Sequence, residues 1–198
     1  MKRFFRKIFN EVVSWFVTKS MFGGIGKSEI KDKEIIITGY PFRPSKIYPK
    51  AVLTVKDIDA ICYNAYPPKL KIGDEAILIS REFAKELEEF ALRNNIAVIE
   101  ETYNWSWILE PYLDTAYTPE TDERLNKLLA EHGIYNEELN KIRKEVGETM
   151  LKYNAMLWEW GDLNLMDVLN AMNAKYSKRK FEDFYWRAME IQFRTKAK

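Results

Sequence analysis

Four carboxylates crowd among large aromatic rings in one short stretch of this chain, Glu100 to Tyr117: Glu100, Glu101, Glu110 and Asp114 with Trp105, Trp107, Tyr112 and Tyr117. Carboxylates beside apolar rings are how acid/base pKa values become raised, so this stretch is the first candidate for an active or ligand-binding site. Trp105 and Trp107 also carry a structural reading, in which both rings lie on one side of an extended, half-buried strand. That seam is the expectation here, and a small enzyme using the four carboxylates is the alternative.

Other reactive types are sparse. The single cysteine, Cys62, excludes an internal disulfide framework, and the single histidine, His132, leaves no pair for a two-histidine metal site. Cys62 falls in the apolar run Ile58 to Tyr63 and reads as core. His132 precedes Gly133 at a helix end, where its side chain can satisfy free carbonyls. No Ser or Cys nucleophile is marked by a local motif near it. The GGIGKS segment at Gly23 to Ser28 has the residues of a phosphate loop, but the glycine required five positions before Gly26 is Met21. A hinge is the better reading. No cofactor and no metal are expected, although oxygen-only sites for magnesium or calcium remain compatible with the acids.

The opening MKRFFRKIFNEVVSWFVTKSMF reads as one amphipathic helix. Phe4, Phe5, Ile8, Phe9, Val12, Val13, Trp15 and Phe16 form its apolar stripe. Lys2, Arg3, Arg6 and Lys7 oppose the macrodipole at its start, which suits an anionic partner better than helix stability. The expected partner is a protein groove or an anionic membrane surface. Asn10 and Glu11 interrupt the apolar run, which argues against a cleaved signal, and no segment approaches the ~20 apolar residues of a membrane span.

The chain has 198 residues, 46% hydrophobic and 14% aromatic, enough to fill a sizeable core. Its net charge of +1 hides a division. Residues 1 to 33 carry eight Lys/Arg against three acids, residues 34 to 173 fifteen against twenty-four, and residues 174 to 198 eight against three. The basic ends could contact the acidic middle of the same molecule. Nucleic acid is an unfavoured partner, because the acidic middle would repel its backbone.

These residues imply an α+β fold. Strands are expected at Glu34 to Tyr40, Ala51 to Val55 and Ile58 to Tyr63, then a hairpin of Lys69 to Ile72 with Ala76 to Ile79 around Gly73 and Asp74. Ser80 caps a helix, Arg81 to Arg93, and Ile96 to Ile99 returns as a strand. Four helices then follow: one from Thr118 to Gly133, a long one capped by Asn136, one opened by Asp162, and one capped by Ser177 with Tyr176 and Phe181 as a staple. Gly147 inside the long helix implies a close packing contact. The strands and single helix over residues 34 to 95 resemble, in topology only, the small bacterial pleckstrin-homology-like domains; no motif carries the likeness.

The expected organisation is a helix and glycine-containing connector over 1–33, an α+β unit over 34–117, and a helical region over 118–198 packed on it. The expected function is a non-catalytic binding or interaction protein of the cytoplasm, with the option of peripheral attachment at the inner membrane surface through residues 2 to 16.

Overall fold

The computed structural model describes residues 24–113, 117–157 and 162–196. The N-terminal helix expected over residues 1–22, with Lys2, Arg3, Phe4, Phe5, Arg6, Lys7, Phe9 and Phe16, lies outside them, as do Asp114, Trp158 and Trp160.

The α+β class and the mostly antiparallel strand pairing are present, in two sheets. The first is β1 (Lys27–Ile30), β2 (Glu34–Thr38) and β3 (Lys50–Thr54), antiparallel in that order. Its β1 corrects the expectation of only a helix and glycine-containing connector over 1–33. The segment KSEI is an edge strand whose side chains are exposed or half-buried, so it carries no apolar signal. Gly26 makes the pairing possible: a Cβ there would lie 2.7 Å from the Thr38 carbonyl oxygen, and its φ is +82°. Close backbone approach explains this glycine.

The second sheet contains β4 (Ala60–Cys62), β5 (Lys69–Ile72), β6 (Glu75–Leu78) and β7 (Ala97–Val98), in the order β6-β5-β4-β7. The β5–β6 hairpin turns at Gly73 and Asp74 as expected, with Ile72 opposite Glu75. The short β7 runs parallel to β4, an exception to the antiparallel pattern. Parallel pairing requires a crossover, here α1 (Ala84–Asn94), which buries Leu87, Phe90 and Ala91. Ser80 makes no side-chain cap. A single 3₁₀ turn, Arg81–Phe83, precedes α1, and left-handed Asn95 ends it.

The Trp105–Trp107 segment is not a strand. It forms α2 (Asn104–Leu109), with Asn104, Trp105, Ile108 and Leu109 buried on one stripe and Trp107 half-buried. Among the described residues, four helices follow: α3 (Pro119–Glu131), α4 (Asn136–Leu157), α5 (Leu165–Lys175) and α6 (Lys178–Phe193). The cap of α5 is Asn164, in a reciprocal box with Asp167, rather than Asp162. Ser177 makes no side-chain cap on α6, and Tyr176 meets Phe184 edge-on at 5.9 Å.

One contiguous apolar cluster runs from Ile35 and Ile37 through both sheets to Tyr185 and Met189 of α6. Trp105 joins the layers, 1% exposed, with its ring 6.1 Å from Phe184 and its Nε1 donating to the Ala188 carbonyl at 3.0 Å. Gly147 has the expected close neighbour: a Cβ there would sit 2.7 Å from the Tyr112 hydroxyl. Cations of the basic C-terminal segment pair with the acidic middle: Arg187 with Glu145, Arg194 with Glu138 and Lys196 with Glu131.

Candidate functional site

Antiparallel register between β4 and β5 sets Cys62 directly opposite Lys69. On the other side of β4, the Ile99 amide donates to the Ile61 carbonyl at 3.0 Å, and the chain leaving β7 carries Glu100, Glu101 and Thr102 across the sheet end. The C-terminal end of α6 closes over them with Gln192 and Phe193. His132, at the end of α3, completes the wall of a cavity of about 440 Å³.

Its floor is a buried polar network. Lys69 Nζ lies 2.5 Å from Glu101 Oε2, and the two side chains are 7% and 14% exposed. Gln192 Nε2 donates to Glu101 Oε1 at 3.1 Å and to the Thr102 carbonyl at 3.0 Å. The Thr102 hydroxyl donates to the Gln192 carbonyl. Cys62 Sγ approaches Glu101 Oε2 at 3.7 Å and donates to Asn64 Oδ1 at 3.4 Å. Both carboxylate oxygens of Glu101 are therefore engaged within the protein. Isolated burial of either charge would be costly, and each partner makes the other tolerable.

The chemistry of Cys62 follows from that setting. Burial first, and then the Glu101 carboxylate, push its thiol up to about 11. It is a neutral thiol near pH 7, the opposite of an activated nucleophile. Cys62 is 2% exposed, as a core residue should be, but it also borders the cavity.

His132 is held by a different device from the expected one. Its Nδ1 lies 2.7 Å from Asn104 Oδ1, and its ring packs 5.3 Å from that of Trp107. Asn104 is fully buried, and its amide nitrogen donates to the carbonyls of Ile191 at 2.7 Å and Arg194 at 2.8 Å. Its oxygen must then face the imidazole, so Nδ1 carries the hydrogen and Nε2 is the acceptor in the neutral ring. No described residue bonds Nε2. Cysteine, histidine and asparagine are the types of a thiol-based nucleophilic site, but the Cys62 thiol contacts Asn64 and Glu101 instead of the ring.

Of the four carboxylates singled out in the sequence, Glu100 and Glu101 border this cavity. Glu110 does not: its carboxyl is raised by burial and then by Asp162, which is itself raised chiefly by burial. Lys69, Gln192 and Asn104 escaped sequence reasoning, since each lies far along the chain from its partner. Lys71 borders the cavity too, its ammonium 5.2 Å from the Phe193 ring centroid and without an ion pair among the described residues.

Among the described residues, no group of three or more His, Cys, Asp or Glu is placed to hold a metal ion, and no helix is long and apolar enough to cross a membrane. The chain matches no protein-family model, and no curated protein or solved structure is significantly similar to it.

Proposed function

We propose that this chain is a non-catalytic binding protein whose cavity takes a small zwitterion of amino-acid to dipeptide size. The observation that carries this reading is the division of labour in the cavity wall. Lys69, Glu101 and Gln192 satisfy one another and form a stiff floor, while Glu100, His132 Nε2 and Lys71 retain free valences. Glu100 and Nε2 accept from a ligand ammonium, Lys71 pairs with its carboxylate, and Leu70, Ile99 and Phe193 cover its apolar part. A cavity of about 440 Å³ suits such a ligand.

Calorimetry of the full chain with alanyl-alanine, its N-acetyl form and its C-terminal amide tests this. Saturable binding of the free dipeptide, weakened by either cap, is expected. Equal binding of all three, or of none, contradicts it.

The rival is the carboxylate enzyme, favoured by the raised Glu110 and Asp162. Glu110 is not among the residues lining the cavity that holds Glu100 and Glu101, which weighs against a concerted role. The N-terminal pattern adds a second element to the binding reading: peripheral attachment to anionic lipid through Lys2, Arg3, Arg6 and Lys7 with Phe4, Phe5, Phe9 and Phe16. Neutralising the four cations is expected to lower cosedimentation with phosphatidylserine vesicles, and unchanged cosedimentation contradicts it.

A further inference from the structure

Lys71 and Phe193 border two cavities at once. Beyond them lies a second space of about 480 Å³, walled by Trp186 and Glu190 of α6 and by Gly73 and Asp74 of the β5–β6 turn. Trp186 is half-buried, with Lys46 Nζ 5.7 Å from its ring centroid. Arg194 is engaged by Glu138 and Glu190, so the aromatic platform of Trp186 and Phe193 is bordered by Asp74 and Lys71 as the charged lining residues without an ion pair among the described residues. The 5.2 Å contact between the Lys71 ammonium and the Phe193 ring lies at the shared border, and both side chains are half-buried. Neither belongs to the tightly bonded floor, and both are long side chains able to change rotamer.

We infer that the two cavities form one groove for a short peptide, entered by its free amino end at Glu100 and His132 and occupied at the second cavity by a large aromatic side chain on Trp186 and Phe193. This rests on the zwitterion-binding reading and names the ligand class for that same site. A chain that continues past Lys71 no longer ends there in a carboxylate, so an acidic second residue supplies the anion in its place. An aromatic third residue then reaches Trp186, where ring burial is the contact that dominates binding in such grooves.

Calorimetry of the full chain with alanyl-aspartate, alanyl-aspartyl-alanine and alanyl-aspartyl-tryptophan separates the two claims. The tryptophan peptide is expected to bind about tenfold more tightly than the alanine peptide. In Trp186→Ala that gain is expected to vanish while alanyl-aspartate binds as before. Equal affinity of the two tripeptides for the wild-type chain overturns the shared groove but leaves the zwitterion reading standing if alanyl-aspartate binds. A gain that survives in Trp186→Ala places the aromatic contact elsewhere and also overturns it. Absence of binding by all three peptides overturns both.

Discussion

At the scale of single residues, the site depends on one buried ion pair. Glu101 was legible as a candidate because carboxylates beside rings stand out in a linear string. Its partners were not, since Lys69 is 32 and Gln192 is 91 positions away, and only the strand register and the end of α6 bring them in. The same limit hid the tautomer of His132, which depends on Asn104, 28 positions earlier. Removing one charge of a buried pair leaves the other uncompensated. Lys69→Met and Glu101→Leu should each cost about 3 to 5 kcal/mol in urea unfolding, and the double variant should cost well under the sum of the two. Additive losses would show that the pair is not a unit.

At the scale of elements, polar residues in structural roles account for the errors. The α2 stripe begins with a buried asparagine, so Trp105 and Trp107 looked like alternation, although Trp105, Ile108 and Leu109 already have helical spacing. Edge strand β1 has too little apolar content to be seen, whereas the β5–β6 hairpin and the helical half showed themselves through turn residues and 3.6-residue periodicity. Gly147 was legible as an anomaly, and its reason is Tyr112, whose hydroxyl donates to the Arg143 carbonyl at 2.8 Å. Alanine at 147 gains about 1 kcal/mol of helix propensity but forces a ring only 2.7 to 3.0 Å away to move. Gly147→Ala should therefore destabilise the wild-type chain by about 1 kcal/mol and stabilise a Tyr112→Ala background by a similar amount. Thermal unfolding of the four species checks the change of sign.

At the scale of the whole molecule, charge shapes the response to acid. The basic C-terminal segment meets the acidic middle in ion pairs, a complementarity visible in the sequence as blocks but not as partners. Between α3 and α4, Asp122 accepts from the Tyr117 hydroxyl and from Arg143 Nη1 at 3.0 Å, and these hydrogen bonds hold its carboxyl below the ordinary aspartate range, Tyr117 first. A lowered folded value means stabilisation fully present above the unfolded aspartate pKa and lost as pH falls through the folded one. Asp122→Asn should thus lower Tm at pH 7 and converge on the wild type in strong acid; a deficit independent of pH would contradict this. Burial holds Glu110 and Asp162 in the opposite sense, so their ionisation opposes folding as pH rises through their raised values.

The space between the β4–β5 end, the chain after β7 and the end of α6 is proposed to receive a small zwitterion. Titration of the ¹⁵N-labelled full chain with alanyl-alanine, followed by amide chemical shifts, tests it most directly. Saturable shifts are expected to concentrate at Ile99 to Thr102, Lys71, His132, Gln192 and Phe193, and to be lost when the ligand is N-acetylated. Shifts that never saturate, or that scatter over the far faces of α1 and α5 while these amides stay still, would contradict it.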